Sequence, residues 1–217
     1  MKIKAIIFDF DDTLFMTRQT RIAAGIYWAK HFYNRTITKQ DILKQWGKPF
    51  DEFMKAFLDG EDGLELAKER YYSILHKFPN RTYEGVPALL KDLSNSYKLG
   101  MVSASSLKLI LPEFELSDID TKLFEFIQAQ EHTNVHKPDP RVFDPILDSF
   151  SKLNINEEEI VYVGDSEVDL KAAKGAGLKF IAIAGNSETA SYWKKQNCQF
   201  VKDIRDLPDK IKELEHL

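Results

Sequence analysis

The chain has 217 residues, 43% apolar and 12% aromatic, enough for a packed core and against disorder. Its formal net charge is −4, with 30 basic and 34 acidic residues and no long basic run, so no nucleic-acid partner is expected. Cys198 is the only cysteine, no apolar stretch nears the roughly 18 residues of a membrane span, and the N-terminal apolar run stops at Asp9; a cytoplasmic protein without a membrane partner is expected.

The first predicted element is a strand, Ala5–Phe8, apolar throughout, which runs into Asp9, Phe10, Asp11, Asp12 and Thr13. More than eighty residues then separate Thr13 from the next apolar run, Leu99–Val102, whereas a crossover between parallel strands needs only about a dozen. The excess, residues 16–81, holds no convincing strand and reads as helices. Ile22, Ile26, Ala29 and Tyr33 fall on one face; Thr38 with Asp41 resembles a capping box; Pro49 opens a short helix through Phe57; Leu64–Leu75 forms a fourth. This is the pattern of a helical domain (16–81) inserted between core segments 1–15 and 82–217, with hinges near 14–18 and 79–84. A helix at Val86–Leu93 leads into Leu99–Val102, and Phe124–Ile127 is a weaker strand candidate. In "HKPDP", Asp139 can cap a helix whose first position is Pro140, and Pro145 should kink that helix or delay it to near Asp144. Ile160–Val163, a helix at Val168–Ala176 stopped by Gly177, Phe180–Ala184 and a weaker Phe200–Val201 complete the chain. Short apolar strands alternating with helices predict an α/β fold, a doubly wound parallel sheet.

Ligands of such sheets bind at the carboxyl ends of the strands. Three apolar runs end there in polar residues: the first in Asp9, the second in Ser103, the third in Asp165, with Asp169 one helical turn further on. Lys137 lies between the second and third. If these ends are neighbours, one crevice gathers Asp9, Asp11, Asp165, Asp169, a lysine and a serine. Carboxylates this close repel unless a cation relieves them. Mg²⁺ takes such oxygen ligands together with phosphate oxygens, a lysine and a hydroxyl can hold a phosphoryl group, and a relieved carboxylate can attack phosphorus. Asp12, Ser105 and Ser106 read as turn or capping residues, and His132 and His136 as structural or exposed.

"DFDDT" with Ser103, Lys137 and "GDSEVD" resembles the haloacid dehalogenase-like hydrolase superfamily, specifically its phosphatases. The four motifs come in the family's order across nearly the whole core, and the pattern is most similar to the phosphoglycolate phosphatase and β-phosphoglucomutase branch. The resemblance implies Asp9 as nucleophile and metal ligand, and Asp11 as general acid/base with its backbone carbonyl on Mg²⁺. It implies Ser103 and Ala104 at the phosphoryl oxygens, Lys137 as the neutralising cation, and Asp165 with Asp169 at the metal. The inserted helices look like the family's cap, where Lys48 in "WGKPF" is either a contact to an anionic group of the substrate or a solvated loop lysine. The implied activity is Mg²⁺-dependent hydrolysis of a small phosphorylated metabolite by a monomer or homodimer. A phosphosugar mutase is the rival. Mutases of this branch tend to carry a hinge histidine about ten residues after the acid/base Asp; here the neighbourhood reads "RQTRIAA", with Arg21 as a phosphate contact or a solvated helix residue. A receiver domain also gathers acids, a hydroxyl and a lysine, but this chain is too long for that fold alone.

Overall fold

A computed structural model of the chain describes residues 2–58 and 63–216; residues 59–62 of the expected insert, Met1 and Leu217 lie outside the described residues. In chain order the elements are β1 (Ala5–Phe8), β2 (Phe15–Met16), α1 (Arg18–Tyr33), α2 (Lys39–Leu43), α3 (Phe50–Lys55), α4 (Leu64–Ile74), β3 (Arg81–Thr82), α5 (Val86–Ser94), β4 (Lys98–Val102), α6 (Leu107–Leu116), β5 (Phe124–Gln128), α7 (Asp144–Ser151), β6 (Ile160–Gly164), α8 (Glu167–Gly175), β7 (Lys179–Ile183), α9 (Ser187–Lys195), β8 (Gln199–Val201) and α10 (Leu207–Glu215). All six expected strands join one sheet in the order β5-β4-β1-β6-β7-β8, every pair parallel. The order reverses between β4 and β6, so β1 sits at the centre and its carboxyl end opens on the crevice expected at such a switch point.

β1 is apolar throughout because it has no solvent face. Ile6 and Phe8 enter one buried cluster with α5, α6 and α10, and Ala5 and Ile7 enter a second with α7, α8 and α9. This is the two-residue alternation of a strand covered on both sides. Pro145 acts by delay rather than by kinking: Asp139 caps a 3₁₀ turn at Pro140–Phe143, and α7 starts only at Asp144. Helices α1, α3 and α4 enclose a separate apolar cluster of Ala24, Trp28, Ala29, Phe50, Met54, Ala67, Tyr71 and Ile74, to which the sheet core contributes only Leu109. Thr38 and Asp41 form the capping box at α2.

Two features differ from the sequence expectation. The segment 16–81 carries strand residues at both of its ends, because Phe15–Met16 pairs antiparallel with Arg81–Thr82. Two-residue strands leave no periodic signal, and only the crossing of the two connecting chains makes the ribbon. Helices α6, α9 and α10 also carry no expectation; α6 even contains Pro112, a residue that normally argues against a helix. Among the described residues no helix is long and apolar enough to cross a membrane.

Candidate active site

Asp9 follows β1 directly and is pinned by its backbone N–H to the Val163 carbonyl of β6, 2.8 Å away. Its carboxylate Oδ1 accepts a 2.8 Å hydrogen bond from Lys137 Nζ. The same ammonium donates to Asp169 Oδ1 at 2.7 Å and to the Tyr162 hydroxyl at 2.9 Å. An ammonium has three donors, and all three are used, so Lys137 is held in one place. Tyr162 in turn donates to Asp169 Oδ1 at 2.9 Å.

Asp169 has two tasks. It is the third residue of α8, and with Ser166 it closes a capping box: its Oδ2 accepts from the Ser166 N–H at 3.1 Å and from the Ser166 hydroxyl, whose oxygen accepts the Asp169 N–H at 3.3 Å. Its other oxygen holds Lys137 and Tyr162. The side chain is 1% exposed. Only a glycine fits at position 164, because a Cβ there would lie 2.8 Å from the Asp169 carboxyl carbon.

Asp11 lies in the loop after β1, where Ser105 Oγ donates to its Oδ2 at 2.8 Å. Asp12 takes the left-handed region, φ 55°, which a short polar side chain tolerates. Its carboxylate caps the Arg18 N–H at 3.1 Å and meets the Arg18 guanidinium at 2.7 Å. Arg18 also contacts Asp165 Oδ2 at 3.2 Å. Asp165 stands immediately after β6, beside Asp9.

The electrostatics follow from four carboxylates sharing two cations: Asp9 and Asp169 meet Lys137, and Asp12 and Asp165 meet Arg18, with Asp11 close by. Burial pushes the Asp9 carboxyl up to about 8; Lys137 opposes this, while Asp169 and Asp11 add to it. Burial, then Asp169, Asp9 and Asp12, hold Asp165 well above the usual carboxylate range despite Arg18. Burial acts upward on Asp169 as well, but Lys137, Ser166 and Tyr162 outweigh it and keep that carboxyl low. Burial disfavours the Lys137 charge, yet Asp169 and Asp9 raise its pKa well above the ordinary value. Two acids are thus left short of positive charge. Carboxylate oxygens of Asp9, Asp165 and Asp169 lie within 4.8 Å of one another, a donor set that fits a hard divalent cation such as Mg²⁺. Both Asp169 oxygens already have donors, so Asp9 and Asp165 are the freer ligands. The Asp11 carboxylate is not one of the three.

Above this floor lies a cavity of about 290 Å³ between the sheet and the helical insert. Asp9, Asp11, Lys137, Asp165 and Asp169 line it from the core, and Trp46, Lys48, Phe50, Phe53 and Tyr71 from the insert. Lys48 is exposed and donates to Gln45 at 2.8 Å. In the loop after β4, Ala104 and Ser105 face the cavity and Ser103 is not among its lining residues. Ser103 is buried, and its hydroxyl oxygen accepts the Ser105 N–H at 3.0 Å. Ser105, expected as a turn residue, is the serine that meets Asp11. His132 is exposed, and its Nδ1 accepts the Ala129 N–H at 3.0 Å. Tyr162 and Arg18 carry no expectation from the sequence. Tyr162 had a signal, since a tyrosine inside an otherwise apolar strand needs a partner for its hydroxyl. Arg21 is no solvated helix residue; it is 6% exposed.

Known proteins share this fold. A family model for haloacid dehalogenase-like hydrolases matches residues 6–183. A candidate pyrophosphatase PpaX of Caldanaerobacter subterraneus subsp. tengcongensis is 28% identical over 217 residues, covering 98% of this chain and 96% of its own. The fold is similar to that of a predicted phosphoglycolate phosphatase from Haemophilus somnus 129pt, with TM-score 0.78 at 22% identity over 96% of this chain and 98% of that one. It is also similar to that of CbbY from Rhodobacter sphaeroides in complex with phosphate, with TM-score 0.75 at 22% identity over 94% and 96%. The motif order, the central β1 with its terminal acids and the family match over most of the chain agree: this protein belongs to the haloacid dehalogenase-like hydrolases.

Proposed function

We propose that the chain is a Mg²⁺-dependent phosphatase that hydrolyses a small phosphomonoester through an aspartyl-phosphate on Asp9. The observation that carries this reading is the hydrogen bond from Lys137 to Asp9 Oδ1. It fixes one carboxylate oxygen and leaves Oδ2 as the nucleophile. In the first step Oδ2 attacks phosphorus; the new O–P bond forms as the bond to the leaving oxygen breaks, and Asp11 gives that oxygen a proton. In the second step Asp11 takes a proton from water, the water oxygen bonds to phosphorus, and the Asp9–phosphorus bond breaks to free inorganic phosphate. Ser105 orients Asp11 for both transfers through its 2.8 Å hydrogen bond. Lys137 offsets charge on Asp9 and on the phosphoryl group without moving, and the loop of Ser103 and Ala104 faces the phosphoryl oxygens. Asp9, Asp165, the Asp11 carbonyl and Asp169 are the donors for Mg²⁺, which when bound supplies the positive charge that the acids and the phosphoryl oxygens lack. Residues 16–81 act as a cap that closes over the cavity and excludes bulk water.

The names of the relatives, a pyrophosphatase and a phosphoglycolate phosphatase, support a small phosphorylated substrate. The test is phosphate release by the purified protein with Mg²⁺ from pyrophosphate, phosphoglycolate, sugar phosphates and nucleotides, repeated after thorough chelation. Release from at least one substrate, lost on chelation and restored by Mg²⁺, is expected. No release from any of them, or release indifferent to chelation, refutes the proposal. With β-glucose 1-phosphate and a trace of bisphosphate, glucose 6-phosphate appearing without free phosphate points to a mutase instead.

A further inference from the structure

Arg21 is a buried cation for which the mechanism above has no use. It sits in the first turns of α1, 6% exposed, and its one ion pair is loose: NH2 lies 3.4 Å from Glu113 Oε1 of α6. Asn80 Nδ2 holds the same oxygen at 2.6 Å. Among the described residues Arg21 NH1 has no hydrogen-bond partner, and neither does Glu113 Oε2. Burying a guanidinium with unused donors is costly. A pair that served only to join insert to core would use the two-pronged geometry that arginine and a carboxylate favour. Here Glu113, itself held by Asn80, meets NH2 and leaves NH1 spare.

The spare donor belongs to a wall of the cavity. Arg21, Tyr71, Leu109 and Asp11 all line it. Arg21 therefore faces the cavity that Asp11 also lines, where the leaving group would lie. The rest of that wall, Phe50, Tyr71 and Leu109, is largely apolar.

Resting on the phosphatase reading of this site, we propose that Arg21 is a specificity-determining residue that binds a second anionic group, a phosphate or a carboxylate, carried by the leaving group of the substrate. The substrate class is then a short molecule with an anion at each end, such as a diphosphate or a phosphorylated hydroxy acid. One anion sits over Asp9 and the other accepts hydrogen bonds from Arg21.

The experiment compares the wild type with Arg21→Gln and Arg21→Lys on pyrophosphate, phosphoglycolate and p-nitrophenyl phosphate, with Mg²⁺ present. For Arg21→Gln, kcat/KM on the better two-anion substrate should fall about 10- to 100-fold further than on p-nitrophenyl phosphate, the range for a lost hydrogen bond to a charged group. The loss should lie chiefly in KM, and Arg21→Lys should recover part of it. A larger loss on pyrophosphate identifies phosphate as the second anion; a larger loss on phosphoglycolate identifies carboxylate. Equal losses on all three substrates, or none, overturn the proposal. A calorimetric arm keeps the inference separate from turnover: methylenediphosphonate should bind the wild type at least about 10-fold tighter than methylphosphonate, and Arg21→Lys should shrink that ratio. Equal affinities overturn the proposal even if the protein is an active phosphatase. A preserved ratio that depends on Arg21 upholds the anion site even if no substrate is turned over. If Arg21→Gln fails to fold because Glu113 loses its partner, the wild-type affinity ratio and Arg21→Lys decide the matter.

Discussion

The sheet core and the helical insert line the same cavity with side chains held in opposite ways. On the core side Asp9, Lys137, Tyr162 and Asp169 bond to one another at 2.7–2.9 Å. Asp9 and Tyr162 are set by strands, and Asp169 by the first turn of α8. On the insert side Trp46, Gly47 and Lys48 lie between two short helices, α2 and α3, and Lys48 bonds only three residues back, to Gln45. Backbone paired on both sides can hold a carboxylate in place for chemistry, whereas a connection between short helices can change its side chains without disturbing the fold. The difference teaches a division of labour: changes on the core side should act on the rate of chemistry for every substrate, and changes on the insert side on which substrate is bound.

The largest effect that tests this division is at the nucleophile. Asp9→Asn should lower phosphate release by about 10⁴-fold or more on every substrate, the scale of nucleophile removal elsewhere, and Asp11→Asn by ~10²–10⁴-fold through lost proton transfer. A folded Asp9→Asn protein with near-normal turnover would sink the mechanism. Next in size is Asp169→Asn, which keeps the shape but weakens the hold on Lys137. A fall in kcat of about 10- to 100-fold, the range for partners that orient site residues, is expected with little change in selectivity among substrates. A change in selectivity instead, read from kcat/KM across the phosphate-release panel, would break the division from the core side.

A third effect is on stability and separates the core by its charge. An unfolded Asp titrates near 3.8 and the native Asp9 near 8. Between those values the native state holds a proton that the unfolded state has released, so the chelated protein should lose stability as pH rises from about 4 to about 8. Mg²⁺ binding to the native state opposes that loss. The difference in melting temperature with and without Mg²⁺ should therefore widen across this window. A difference that stays constant from pH 4 to pH 8 contradicts the assigned charge balance. The smallest effect belongs to the insert: Lys48→Ala removes an exposed charge and should raise KM by no more than about 5-fold, the reach of a surface ion pair, with kcat unmoved. Steady-state kinetics on the preferred substrate would expose an error here as a drop in kcat.

Much of this molecule is legible along the chain. The apolar strands with their terminal acids, the overlong first connection, the capping box at Thr38 and the late start of α7 at Pro145 are local. Each rests on residue types within a few positions of one another, and periodicity or a missing backbone N–H is enough to read them. What lies between distant segments is not local. The ribbon of Phe15–Met16 with Arg81–Thr82 exists only because two connecting chains cross. Ser105 meets Asp11 while the Ser103 hydroxyl accepts the Ser105 N–H, because the path of the loop after β4 sets where each hydroxyl goes, which composition does not encode. Lys137 is spoken for by three partners that lie 128, 25 and 32 residues away in sequence. Arg21, which looks like a surface residue of a helix, is buried because Glu113 and Asn80 arrive from elsewhere. The chain by itself determined which groups have the chemistry. Tertiary packing decided which of their donors and acceptors remain free, because burial and hydrogen bonding are properties of neighbours in space.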